Sequence, residues 1–170
     1  ENVKNLVNHD KGKTFGVIQK TMLKLGYSFN YKLINSECVV PQKRVRCYIV
    51  CLRDTSEKFE FPTFEGEPQP LKLILDKKVE AEYTISDRLW AGHQRRTITN
   101  LERGTGFTAF CVDVNKPANT LVARYGKDGK ECLIPQEGKN PRMLTPRECA
   151  RLQGFPENFL IPVAKTAAYK

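Results

Sequence analysis

The chain has 170 residues, of which 28 are Lys or Arg and 19 are Asp or Glu, so its formal charge at pH 7 is +9. This length can bury one substantial core, or one domain and part of another. No apolar run is long enough for a transmembrane helix, so we expect no membrane partner. The positive charge favours a polyanionic partner such as a nucleic acid.

The six cysteines indicate the redox compartment. They include no Cys-x-x-Cys pair, and neither histidine stands at a zinc-ligand spacing. Free thiols are therefore favoured over disulfides or a metal site. Together with the lack of a signal peptide at the start of the sequence, they predict a cytoplasmic protein without a metal. His9 and His93 have no partner in the sequence, and we interpret both as incidental.

Residues 1–55 predict the end of a layered α/β domain. Apolar residues recur at helical spacing before Gly26, which ends the pattern. These residues are Phe15, Ile18, Met22 and Leu25. A strand is predicted over residues 27–35, and a second, buried strand over residues 46–53 beyond a break at Pro41.

Residues 56–141 predict a smaller, irregular and β-rich domain. It opens with a segment rich in proline and glutamate, which is typical of a linker or an irregular surface. Ser86 then caps a helix predicted over residues 87–102. The rough apolar stripe of this helix consists of Leu89, Trp90, His93, Ile98 and Leu101.

The second half of this domain is predicted to be a loop followed by a hairpin. The loop covers residues 104–107, which read Gly-Thr-Gly-Phe. Strands are predicted over residues 120–123 and 131–134, on either side of a glycine-bounded turn at residues 126–129.

Residues 142–156 predict a short helix with complete capping signals. Thr145 suits the N-cap, and Pro146 takes the first position, where a missing N–H costs nothing. Glu148 stands three residues after Thr145 and closes a capping box. Gly154 ends the helix in the position that favours a left-handed residue.

Three blocks, in chain order, resemble signature motifs of the DNA cytosine-5 methyltransferases. Glu1-Asn2-Val3 matches the motif Glu-Asn-Val, and Gln42-Lys43-Arg44-Val45-Arg46 matches Gln-x-Arg-x-Arg. The stretch 142–156 reads Arg-Met-Leu-Thr-Pro-Arg-Glu-Cys-Ala-Arg-Leu-Gln-Gly-Phe-Pro and matches the late block of the family. The resemblance covers almost the whole chain, but only the later half of such an enzyme.

The resemblance implies an α/β fold made of three segments. Residues 1–55 would end a Rossmann-like catalytic domain, residues 56–141 would form a target-recognition domain, and residues 142–170 would return the chain to the catalytic domain. We expect Arg142 and Arg147 to serve this junction or nearby phosphates, and no residue of the late block to take part in bond-making.

The resemblance also implies the chemistry. A cytosine is flipped out of duplex DNA, and its C5 receives a methyl group from S-adenosylmethionine, as in restriction–modification. Glu1 would protonate or hydrogen-bond the ring at N3. Arg46 would contact the cytosine O2, and Arg44 would brace the pocket. Without the other blocks, these two arginines would read as solvated charges before a strand.

The middle region resembles the target-recognition region of Dcm-type enzymes, which read CC(A/T)GG or close relatives. Arg103, Arg124 or a nearby lysine would donate two hydrogen bonds to a guanine, while other cations, including Lys130, would contact phosphates. The residues assigned to DNA are Arg88, Arg95, Arg96, Arg103, Gly104, Thr120, Leu121, Arg124, Tyr125 and Lys127. The alternative is a basic helix surface and a turn that needs glycine for its backbone alone.

Two features of the family do not occur in this sequence: the Phe-x-Gly-x-Gly loop that holds S-adenosylmethionine, and the Pro-Cys motif that carries the nucleophile. We therefore expect the chain to bind duplex DNA but to be inactive alone. An N-terminal half, as a separate chain or as the missing part of the same chain, would supply both features. Two alternatives remain open: a non-catalytic, sequence-specific DNA-binding module, and an RNA cytosine methyltransferase of the same family.

Overall fold

The computed structural model describes residues 1–106 and 108–169. Phe107, at the end of the predicted loop 104–107, and Lys170, at the end of the predicted return segment, lie outside the described residues. Within the described ranges, no helix is both long enough and apolar enough to cross a membrane.

The described residues form a mixed α/β structure with two small antiparallel sheets. In chain order its elements are β1 (Asn2–Val3), α1 (Lys13–Lys24), β2 (Asn30–Asn35), β3 (Val45–Val50), α2 (Asp87–Arg103), α3 (Tyr125–Asp128), β4 (Ile134–Gln136), β5 (Lys139–Arg142), α4 (Pro146–Leu152) and α5 (Lys165–Ala168), with short 3-10 helices at Lys4–Val7, His9–Gly12, Leu71–Ile74 and Ala81–Tyr83. The helix and two strands predicted within residues 1–55 are confirmed, with shorter strands than expected.

The first sheet has the strand order β1-β3-β2, and both pairings are antiparallel. Phe15 of α1 packs edge-on against Tyr31 of β2, with ring centroids 4.7 Å apart. The prediction that β3 is a buried strand is wrong for most of its length. Cys47 is fully buried, whereas Tyr48, which points to the opposite face of the sheet, is exposed.

The main core is formed by residues from the middle and from the last part of the chain. Its buried members are Leu71, Ala118, Tyr125, Cys132, Ile134, Leu144 and Leu152. Because these residues come from both sides of residue 142, the late helix α4 and the segment before it fold around one shared apolar cluster. Burial of such side chains is the dominant favourable contribution to folding.

Helix α2 confirms the predicted helix and its Ser86 cap, whose hydroxyl accepts a hydrogen bond from the Leu89 N–H. Its predicted apolar stripe is only partly right, because Ile98 and Leu101 are exposed. The buried positions near the middle of the helix are His93, which the predicted stripe included, and Thr97, which it did not. The interpretation of His93 as incidental is therefore wrong.

The predicted hairpin at residues 120–134 is also wrong. Residues 120–123 form no strand, and the glycine-bounded turn is the short helix α3. The reason is a long-range anchor: Tyr125 is 2% exposed. Its hydroxyl donates to the Cys132 carbonyl at 2.7 Å and accepts from the Leu144 N–H at 2.8 Å. Strand β4 begins at Ile134, where the predicted strand was expected to end.

Helix α4 confirms every capping signal that was expected. The Thr145 hydroxyl accepts from the Glu148 N–H, and the Glu148 carboxylate accepts from the Thr145 N–H, which is a complete capping box. Gly154 has a φ of 83° just beyond the helix. The signals at the start of the helix, from Thr145 to Glu148, lie within four consecutive residues.

Candidate functional site

Glu1, Arg44 and Arg46 converge on one face of the first sheet. The antiparallel register pairs Val3 with Arg46, and side chains two residues apart along a strand share a face. The Glu1 carboxylate oxygen Oε1 lies 3.2 Å from Arg46 Nε and 3.4 Å from Arg44 Nη2. The structure thus brings together the three residues predicted for the cytosine pocket.

The three side chains differ in exposure. The Arg46 side chain is 15% exposed, that of Arg44 30%, and that of Glu1 43%. Arg46 is also held by a 2.9 Å hydrogen bond from its Nη1 to the Val45 carbonyl. Two guanidinium groups with fixed N–H donors beside one carboxyl group can bind a planar ring that presents a carbonyl oxygen and a ring nitrogen.

A backbone seam joins this cluster to the segment that contains Thr120. The Lys43 N–H donates to the Ala118 carbonyl at 2.8 Å, and the Ala118 N–H donates to the Pro41 carbonyl at 2.8 Å. The Thr120 hydroxyl donates to the Lys43 carbonyl at 2.6 Å. Leu121 packs beside the main core. Thr120 and Leu121 are therefore positioned next to the predicted pocket rather than on a separate hairpin.

The remaining residues predicted to bind DNA lie on two surfaces. Helix α2 carries the first set, which consists of the exposed residues Arg88, Arg95, Arg96 and Arg103. Gly104 ends α2 with a φ of 63°, a left-handed conformation that favours glycine. Arg124 and Lys127 are exposed at α3. Tyr125 is the exception, because its side chain faces the core and anchors α3 instead of facing solvent.

Three buried polar residues beneath these surfaces were given no functional role from the sequence. His93 is 3% exposed, Asp128 9% and Glu131 5%. His93 Nε2 lies 2.9 Å from the Asp128 carbonyl oxygen, which can only accept, so His93 donates from Nε2. The helical spacing of His93 from Leu89 and Thr97 was the available signal, since residues four apart lie on one helix face.

The buried cysteines are unsuited to nucleophilic attack. Burial raises the pKa of the Cys132 thiol to about 12 and the pKa of the Cys149 thiol further. Both thiols are therefore neutral near pH 7, whereas a nucleophile must be a thiolate. Within the described ranges, no group of three or more His, Cys, Asp or Glu could hold a metal ion.

The residues present do not fit S-adenosylmethionine. In the described part of the chain, none of the three strands of the first sheet runs into a glycine-rich loop: β1 continues into Lys4–Val7, the segment between β2 and β3 has no glycine, and the first glycine after β3 is Gly66. A glycine-rich loop at the end of a strand is the usual way for a backbone to approach such a cofactor.

The chain belongs to the C-5 cytosine-specific DNA methylase family, whose model matches residues 1–170. It is 48% identical to the Type II methyltransferase M.SsoII of Shigella sonnei, over 100% of this chain and 46% of that protein. It is 50% identical to the Type II methyltransferase M1.ScrFI of Lactococcus lactis subsp. cremoris, over 100% of this chain and 45% of that protein.

The fold agrees with the family. The Dnmt2 methyltransferase of S. pombe superposes with a TM-score of 0.72 at 17% identity, over 99% of this chain and 58% of that structure. The chain spans about half the length of the curated relatives that it matches.

Proposed function

We propose that this chain is the target-recognition part of a DNA cytosine-5 methyltransferase and that it also supplies part of the cytosine pocket. The complete enzyme would transfer a methyl group from S-adenosylmethionine to C5 of a flipped cytosine. The observation that carries this proposal is the approach of the Glu1 carboxylate to within 3.4 Å of both the Arg44 and Arg46 guanidinium groups. Family membership supports the reaction class.

Each residue of this cluster has a proposed role. Glu1 hydrogen-bonds or protonates the ring at N3, which makes the ring a better electrophile. Arg46, which the Val45 carbonyl holds in place, donates to O2. Arg44 pairs with Glu1 and braces the pocket. A fixed, planar guanidinium suits a carbonyl oxygen better than a mobile ammonium group does.

The basic surfaces on α2 and α3 would bind duplex DNA. On α2, the exposed residues Arg88, Arg95 and Arg96 would neutralise phosphates and fix the register of the complex without reading sequence. Arg103 and Arg124 would read guanine in the major groove. We propose a Dcm-like site of the CC(A/T)GG type, because the Thr120-Leu121 pair and the blocks around it resemble those enzymes.

The remaining parts of the enzyme would lie outside these 170 residues. The first sheet would be one edge of a Rossmann-like core, to which residues 142–170 return after a recognition domain at 56–141. An N-terminal half would supply the nucleophile and hold the methyl donor. This division agrees with the poor fit of the described residues to S-adenosylmethionine.

Methyl transfer to duplex DNA with a labelled methyl donor tests the proposal. We expect activity when the chain is combined with a separately produced N-terminal half of such an enzyme, and none from the chain alone. Arg46→Ala should lower kcat roughly hundredfold, as the loss of one positioned donor does in other active sites. Arg53→Ala, which removes an exposed arginine just beyond β3, is the matched control and should change little.

Three outcomes would contradict the proposal. Robust transfer by the chain alone would show that the nucleophile lies within it. Sequence-specific DNA binding without any restored activity would favour a non-catalytic module. Tighter binding to tRNA than to duplex DNA at equal salt would favour an RNA substrate; the salt must be fixed because phosphate contacts depend on it strongly.

A further inference from the structure

Helix α3, which has Arg124 at its N-cap, is held from two sides. The buried Tyr125 fixes its start through hydrogen bonds to Cys132 and Leu144. His93 of α2 fixes its end by donating to the Asp128 carbonyl at 2.9 Å. A side chain on such a rigid base loses little additional freedom when it binds a partner.

The acidic side chain of Asp128, at the end of α3, lies close to the exposed guanidinium of Arg124. Asp128 Oδ2 is 3.8 Å from Arg124 Nη2. The Asp128 side chain is 13% exposed, whereas that of Arg124 is 59% exposed. The buried partner is therefore fixed by the fold, and the exposed partner keeps N–H groups that face solvent.

A second acidic side chain belongs to the same charge cluster. Glu131 is 5% exposed, and within the described part of the chain its Oε2 has no hydrogen-bond partner. Burial raises the pKa of Glu131, and the positive charges of Lys130 and Arg124 act against this rise. Burying a carboxyl group with an unsatisfied oxygen costs free energy. Because the burial of Glu131 lowers the stability of the fold, its position beneath a basic surface points to a functional role.

We propose that Asp128 is a positioning residue for sequence readout: its carboxylate holds the Arg124 guanidinium in one orientation, from which it donates two hydrogen bonds to one guanine of the target site. This inference rests on the proposed function. A pre-oriented arginine is more selective than a free one, because a bidentate contact needs the guanidinium plane to match the base edge.

Selection from a duplex DNA library with a randomised centre tests the inference at one fixed salt concentration. The protein is this chain combined with the N-terminal half. We expect the wild type to select one sequence. Asp128→Asn should reduce the preference for guanine at one position roughly tenfold, which is within the usual discrimination of a bidentate contact. The affinity of the protein for duplex DNA, averaged over the library, should change little.

Two further variants complete the test. Arg124→Lys keeps the charge but lacks the planar guanidinium whose orientation Asp128 is proposed to fix, so it should weaken the preference at the same position. Asp113→Asn is the matched control: Asp113 pairs with Lys116 at 3.5 Å on an exposed loop, so the variant removes the same charge elsewhere and should select the wild-type sequence.

Several results would overturn the inference. If Asp128→Asn keeps the wild-type preference for guanine, the inference is wrong, whatever the result for Arg124→Lys. Equal weakening of all sequences by Asp128→Asn would mean a purely structural role. If Asp128→Asn does not fold, Arg124→Lys decides, because Arg124 is exposed: an unchanged preference refutes the inference, and a loss at a single guanine position supports it. Failure of the wild-type protein to select any sequence would instead refute the proposed function itself.

Discussion

Glu148 is fully buried, and its carboxylate accepts four hydrogen bonds. Two come from the Arg142 guanidinium, at 2.8 and 2.9 Å, in a bidentate pair. The others come from the Thr145 and Asp76 N–H groups, both at 2.8 Å. One side chain therefore ties α4 to the end of β5 and to the segment after Ile74; a role of Arg142 at a junction between domains stays a prediction.

We predict that Glu148→Gln lowers the free energy of unfolding by about 3 kcal/mol, because it leaves the buried Arg142 charge without its partner. Urea unfolding followed by circular dichroism measures the change. Glu157→Gln is the control, since Glu157 pairs with Arg151 at the surface and surface pairs contribute little. Equal effects of the two substitutions would contradict the prediction.

Contacts between residues that are close in sequence are easier to predict than contacts between residues that are far apart in sequence. The Thr145–Glu148 capping box was predicted because its partners are three residues apart. The approach of Glu1 to Arg44 and Arg46 was expected only through the resemblance to a family, since these residues are more than 40 positions apart. The burial of Asp128 and Glu131 was missed because charged residues in a glycine-rich stretch normally indicate a solvated turn.

Among the elements, the helices with local signals were predicted well, and α3 was not. Gly126 and Gly129 around Lys127 and Asp128 have the composition of a hairpin turn. The anchors that make this stretch helical, His93 and Leu144, lie far away in sequence. Gly129 has a φ of 64°, and a Cβ atom added to it would lie 2.5 Å from Met143 Cγ.

We predict that Gly129→Ala destabilises the protein by about 1–2 kcal/mol more than Gly138→Ala. Gly138 has nearly the same φ, 63°, but open space around it, so the two variants share the backbone strain and differ only in the clash. Thermal or urea unfolding of both variants gives the difference. If their stabilities are equal, Met143 moves aside freely and α3 is not tightly seated.

At the scale of the whole molecule, the mixed α/β class was predicted, but the surroundings of the first sheet were not. Tyr31, Leu33 and Tyr48 are at least 38% exposed, although the strand that contains Tyr48 is apolar enough to read as buried. An apolar sequence shows that a strand favours burial, but it does not show which other element of the fold covers the strand.

The excess of positive charge predicts salt-dependent binding to DNA. We expect the double variant Arg95→Gln/Arg96→Gln to weaken binding to every duplex sequence and to lower the slope of log affinity against log salt by about two. Fluorescence anisotropy at several salt concentrations measures the slope. Lys20→Gln/Lys24→Gln on α1 removes the same charge, and a matching loss of slope in this control would mean that α2 has no special role.

The seam between the pocket segment and the Thr120 segment has a consequence for protein engineering. Its hydrogen bonds among the described residues use the backbone groups of Pro41, Lys43 and Ala118, which almost any sequence can provide, and the Thr120 hydroxyl. A chimera that carries the recognition segment of a relative should therefore dock correctly if it retains a hydroxyl residue at this position. Target specificity could then be exchanged between relatives without redesign of the strand that bears Arg46.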